Sequence, residues 1–164
     1  MFQLGGAIIR KLDSNGRTAI PDALLQVYPR KLVLAPGFDN CIRAYAPKTW
    51  DGFMRRLAQQ DTDDPDVADF VRFFASMTCE VDLDGNGRLR FPDALLKWAG
   101  FDDEKREVQF FDAGDYIEFW EAESFRQFMS AKSASFKELA RKLFGKQASE
   151  GTANVAGAPA GNGE

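Results

Sequence analysis

Apolar and polar positions follow the same course twice along the chain. Ile8, Ile9 and Leu12 lead into the polar segment Asp13-Ser14-Asn15-Gly16-Arg17, with Thr18 and Ile20 beyond it. Val81 and Leu83 lead into Asp84-Gly85-Asn86-Gly87-Arg88, with Leu89 and Phe91 beyond it. Short apolar runs bounded by Asn-Gly predict a β-hairpin, the glycine supplying the positive φ of a tight turn. Pro21 and Pro92 end the second strands, and Asp22-Ala23-Leu24-Leu25 and Asp93-Ala94-Leu95-Leu96 begin short helices. Gly100 is a stop for the second of these. Strands follow at 32–34 and 41–45 in the first half and at 108–111 and 116–120 in the second, the last two split by an Asp112-Ala113-Gly114-Asp115 turn.

Helical spacing then takes over. Trp50, Phe53, Met54 and Leu57 fall on one helix face, as do Phe125, Phe128 and Met129. Asp64 reads as an N-cap with Pro65 at the first helical position, and Val67, Phe70, Val71 and Phe74 form an apolar stripe on that helix. A last helix opens on a Ser135-x-x-Glu138 capping box, carries Phe136, Leu139, Ala140, Leu143 and Phe144 on one face, and stops at Gly145.

The repetition extends beyond the two polar segments. With a short shift near Ala99–Asp102, Cys41–Tyr45 matches Tyr116–Trp120, and Trp50, Phe53 and Met54 match Phe125, Phe128 and Met129. The expected organisation is a module at 7–54, a linking helical segment at 55–77, a second module at 78–129, a C-terminal helix at 130–146 and a disordered Ala/Gly/Asn-rich tail at 147–164. Each module is too small to bury much core alone, so the two are expected to pack on each other or on other subunits. The fold class is α+β, with a small β-barrel-like core and flanking helices.

Composition narrows the chemistry. Fifteen Phe indicate a folded chain, and no apolar run reaches the length of a membrane span. Without an export signal, the cell interior is the default location. Histidine is absent, which removes the commonest general base and zinc ligand and argues against an enzyme. The two cysteines, Cys41 and Cys79, read as small buried hydrophobes. Residues 1–60 hold nine Lys/Arg against four Asp/Glu, residues 61–70 hold five Asp and no base, and residues 71–130 hold seven bases against thirteen acids. The first module is therefore basic, as phosphate contact requires, and the second acidic.

An Asp-x-x-x-Arg segment can be purely structural, the carboxylate capping turn amides and pairing with the arginine. Duplication raises the functional reading. Asp82-Leu83-Asp84-Gly85-Asn86-Gly87 also matches the start of an EF-hand calcium loop, but Arg88, Arg90 and Pro92 stand inside that loop, Asp93 replaces the usual Glu, and the first copy has Lys11 where Asp is needed. No metal or other cofactor is expected.

A chain that opens Met1-Phe2 and carries two Asp-x-x-x-Arg segments, each running into a proline and a short helix, closely resembles the MraZ family, built from two SpoVT-AbrB-type modules. It departs from the usual opening at Gln3-Leu4-Gly5-Gly6. The resemblance implies a cytoplasmic, nucleoid-associated, sequence-specific DNA-binding regulator. It would act, usually as a repressor, on direct repeats in the promoter of a division and cell-wall gene cluster that includes its own gene, and would assemble into a ring. Its arginines would be Arg17 and Arg88, with Asp13, Asp84, Gly16 and Gly87 holding the turns. Double-stranded DNA is then the partner, with no membrane and no small-molecule substrate.

Residue chemistry supports the same mechanism: a two-stranded ribbon can enter a groove and an arginine fork can grip guanine or phosphate. Asn15 at the turn tip is a further contact, and Arg10, Lys11, Arg30 and Lys31 would anchor phosphates if they share that face. The acidity of the second module ranks Arg17 above Arg88. The alternative class is a protein-interaction module, or an AbrB-type antitoxin, with the hairpins as scaffold.

Overall fold

The computed structural model describes residues 8–151, with side chains through 145. The chain divides into two compact units, Met1–Phe125 and Arg126–Glu164. The first holds β1 (Ile8–Lys11), β2 (Arg17–Ala19), α1 (Asp22–Leu25), β3 (Lys31–Pro36), β4 (Ile42–Tyr45), α2 (Pro47–Leu57), α3 (Pro65–Met77), β5 (Cys79–Asp82), β6 (Arg88–Arg90), α4 (Asp93–Trp98), β7 (Glu107–Asp112), β8 (Tyr116–Glu121) and the start of α5 (Ala122–Ser133). The rest of α5 and α6 (Phe136–Gly151) belong to the second unit.

The strands flanking each polar turn do not pair with each other, so the expected local hairpins do not form. β1 pairs with β7, Ile8 opposite Phe110, and β5 pairs with β3, Val81 opposite Leu32. Both lie in an antiparallel six-stranded sheet of order β1-β7-β8-β4-β3-β5. β2 and β6 leave that sheet and form a separate two-stranded ribbon, Thr18 opposite Leu89. The physical reason lies in the size of the pieces: a three-residue strand ending at a proline cannot make a stable hairpin within one module. Pairing β2 with β6 instead turns Thr18 and Leu89, 2% and 0% exposed, onto one shared core. The barrel-like core is likewise open, because the edge strands β1 and β5 do not pair with each other.

The exchange explains why the repeat is so closely kept through the short helices. Ile20 N–H donates to the Gly87 carbonyl at 3.0 Å, and Phe91 N–H to the Gly16 carbonyl at 2.9 Å. Leu24 and Leu95 are buried in the core, while Leu25 and Leu96 each cover the other module's turn. A Cβ on Gly16 would lie 3.1 Å from Leu96 Cδ1, and one on Gly87 3.0 Å from Leu25 Cδ1. One buried cluster runs through both halves, joining Leu12, Leu32 and Leu34 to Leu89, Phe91, Val108 and Phe119.

The shift between the copies falls at the end of α4. Gly100, at φ 81°, caps that helix, with Gly100 N–H donating to Lys97 and Phe101 N–H to Leu96. A second cluster gathers Tyr45, Trp50, Phe53, Phe70 and Phe74 between the sheet, α2 and α3. Asp64 caps α3 as expected, accepting from Asp66 N–H at 2.9 Å, whereas Val71 and Met54 of the anticipated stripes are exposed. Cys41 and Cys79 are free; Cys41 is buried, which pushes its thiol up to about 12.

In the second unit, Met129, Phe136, Leu139, Leu143 and Phe144 are all exposed. The Ser135 hydroxyl donates back to the Lys132 carbonyl at 3.0 Å. Helix α6 continues through Gly145 to Gly151, since Gly145 does not adopt the positive φ that would end it. The expected tail thus contributes residues 147–151 to a helix, and the remainder lies outside the described residues, as do Met1-Phe2 and Gln3–Gly6. Among the described residues no helix is long and apolar enough to cross a membrane.

Candidate nucleic-acid interface

Each Asp-x-x-x-Arg segment folds into the same closed turn. Asp13 Oδ1 accepts from Asn15 N–H at 2.8 Å and from Arg17 N–H at 2.9 Å, while Oδ2 accepts from Arg17 Nε at 2.9 Å. Asp84 repeats the pattern with Asn86, Arg88 N–H and Arg88 Nε at 2.9, 2.9 and 2.7 Å. The backbone closes each turn between its first and last residues, Asp13 N–H to Arg17 O at 2.8 Å and Asp84 N–H to Arg88 O at 3.0 Å. Gly16 and Gly87 hold φ of 70° and 71°, in the region that disfavours other residues. The arginine amide bonds, followed by the remaining amide and guanidinium contacts, hold both aspartates below the usual carboxylate range. Among the described residues no cluster of three His, Cys, Asp or Glu is placed to hold a metal.

The ion pairs engage only Nε of each guanidinium. Nη1 and Nη2 of Arg17 and Arg88 have no partner among the described residues, and both side chains are about a third exposed. Each arginine is thus fixed in direction and still has two donors to present, the requirement for bidentate recognition of an acceptor pair.

The ribbon brings the two arginines together. Its register places Arg17 opposite Arg90 and Ala19 opposite Arg88. Because strand side chains alternate, these four share the face opposite to buried Thr18 and Leu89. One outward face therefore carries three arginines drawn from both modules, with Arg88 of the acidic module on the same face as Arg17. Arg90 was not among the expected candidates, although its position two after Arg88 already placed it on that strand face.

Two further arginines tie the turns across the modules. Arg106 donates through Nη2 to the Asp13 carbonyl and through Nε to the Leu12 carbonyl at 3.4 Å. Arg30 donates through Nη2 to the Asp84 carbonyl. Arg30, exposed, thus engages one guanidinium nitrogen as a clamp, and Lys31, also exposed, pairs with Glu80 at 3.3 Å. Arg10 and Lys11 are exposed on edge strand β1, in the other sheet from the ribbon, and Asn15 is exposed at its turn tip.

Comparison with known proteins matches this duplicated architecture. A family model described as "MraZ protein, putative antitoxin-like" matches residues 3–73 and again 74–147. The chain belongs to the MraZ family. It is 33% identical over 138 residues to the transcriptional regulator MraZ of Syntrophomonas wolfei, covering 84% of this chain and 94% of that relative. It is 30% identical over 138 residues to the transcriptional regulator MraZ of Lactiplantibacillus plantarum, covering 84% and 96%. The namesake of Caldanaerobacter subterraneus is 29% identical over 140 residues, covering 85% and 96%. The family is one of transcriptional regulators and not of enzymes, and its two matched segments meet within α3.

Proposed function

We propose that this MraZ-family chain is a sequence-specific DNA-binding transcriptional regulator that reads DNA with the β2–β6 ribbon. The observation that carries the reading is the single outward face formed by Arg17, Arg88 and Arg90, with each motif guanidinium oriented by its aspartate. Such a ribbon enters a major groove, its arginines reach acceptor pairs on guanine or on phosphates, and Asn15, Arg10 and Lys11 add contacts at its margins. The protein acts in the cytoplasm, at the nucleoid, as a repressor of a division and cell-wall gene cluster that includes its own gene, at direct repeats in the promoter.

One ribbon buries too little surface for tight binding, so several copies engage several half-sites in a homo-oligomeric ring. The apolar groove lined by Phe38, Phe53, Leu57, Val67 and Phe70 supports such assembly. Nuclease footprinting of the chain's own upstream region tests the proposal: protection over regularly spaced repeats is expected, together with a light-scattering mass several times that of the 18.3 kDa chain. A monomer, or a region without protection, would leave the ribbon as scaffold and return the protein-interaction reading.

A further inference from the structure

We infer that Arg90 gives each copy a direction on DNA, a conclusion that rests on the ribbon being the DNA-reading face. The antiparallel register creates a local two-fold axis through the Thr18–Leu89 pair. Rotation about that axis exchanges Arg17 with Arg88 and Ala19 with Arg90. The motif arginines match under this exchange down to their hydrogen bonds, with Nε to aspartate at 2.9 and 2.7 Å and N–H to aspartate at 2.9 Å in both. The turn tips match at Asn15 and Asn86 and differ only as Ser14 against Gly85. The charged difference on the reading face is therefore Arg90 against Ala19.

A face with exact two-fold symmetry binds a half-site equally well in either direction, because the protein's symmetry is mirrored in the site it selects. Arg90 breaks the equivalence with a long cationic side chain where the other half presents a methyl group. Both positions are exposed, and among the described residues no acid is paired with Arg90. The arginine reaches one more guanine edge, or its equivalent acceptor pair, on one side of the half-site only. A row of half-sites all running the same way requires a reader that distinguishes the two directions, and Arg90 supplies the distinction. The sequence repeat could not show this, because Ala19 and Arg90 become counterparts across an axis only when β2 pairs with β6.

The test uses the full chain in its native assembly. Half-sites are first selected from a random-sequence duplex pool. Binding at fixed salt is then measured by fluorescence anisotropy on two duplexes of equal spacing, one with both half-sites in the same direction and one with the second inverted. The wild-type chain is expected to prefer one arrangement by about tenfold or more, the discrimination of a single bidentate contact. Arg90→Ala and Ala19→Arg should both reduce that preference to less than about twofold, the first by removing the odd contact and the second by duplicating it. The opposite nature of the two substitutions separates loss of direction from loss of affinity. Retention of the wild-type preference in both variants would overturn the inference, as would a wild type with no preference. A uniform loss of affinity on all sequences in Arg90→Ala would also overturn it, by marking a phosphate contact. If Arg17→Ala and Arg88→Ala also bind as tightly as wild type, the DNA-reading face itself is refuted; if they fail to bind while the Arg90 variants keep direction, only the role of Arg90 falls.

Discussion

Replacing Gly87 by alanine probes the exchange of strands between the modules. At φ 71° the new residue sits in the left-handed region, which costs a non-glycine residue about 1–2 kcal/mol. Roughly 0.4–1 kcal/mol of this is offset by the lower entropy of the unfolded alanine chain. The added methyl then lies 3.0 Å from Leu25 Cδ1, on a helix of the other module, and Leu25 must yield by a few tenths of an ångström. The net expectation is a loss of about 1–2 kcal/mol, which for a chain of this size lowers the melting temperature by about 2–8 °C. Calorimetry or circular dichroism at fixed protein concentration measures it. The cross-module part is isolated by a double-mutant cycle: Gly87→Ala should cost about 0.5–1 kcal/mol less in a Leu25→Ala background. Gly16 and Leu96 should behave alike. Strict additivity in both pairs would refute the packing of each turn against the other module's helix.

Two other consequences follow from the geometry. Asp13 and Asp84 have folded pKa values below that of an unfolded aspartate, so the stability they contribute is present above about pH 4 and is lost as pH falls through their lower folded values. Carboxyl NMR titration should show both midpoints below the usual range; midpoints at the ordinary value would contradict the turn geometry. Arg43 and Glu118 form a nearly buried ion pair at 3.0 Å, the guanidinium also lying 4.3 Å from the Tyr116 ring centre. Arg43→Ala should cost about 2–4 kcal/mol by leaving the carboxylate without its charge partner, and Arg43→Ala/Glu118→Gln should recover part of it; equal melting temperatures for wild type and Arg43→Ala would show the pair to be idle.

Local signals were legible in the sequence wherever the structure is local. The Asp-Asn-Gly-Arg turns, the capped helices and the repeat follow from residue spacing, and the short shift fell where Gly100 caps α4. Strand partners were not legible, because the turn is held by Asp13 and Arg17 whether β1 and β2 pair with each other or part. The clamps Arg30 and Arg106 act across the two modules and carry no local signature. Net charge per module did not reveal that Arg88 shares a face with Arg17, since the ribbon register selects a few side chains from each module and ignores the acids elsewhere. Gly145 looked like a helix stop, but a glycine ends a helix only where it takes a positive φ, and this one does not.

The most direct test of DNA reading by the ribbon is a gel-shift titration at fixed salt with the chain's own promoter DNA, comparing wild type, Arg17→Ala and Arg88→Ala. Both arginines make the same bond to their aspartates and share one ribbon face, so both substitutions should weaken specific binding by at least about tenfold. Asp13 and Asp84 keep their backbone bonds in these variants, so the turns, the oligomer mass and the melting temperature should be preserved. Wild-type affinity in Arg17→Ala and Arg88→Ala, with fold and assembly intact, would contradict the assignment of this face to DNA.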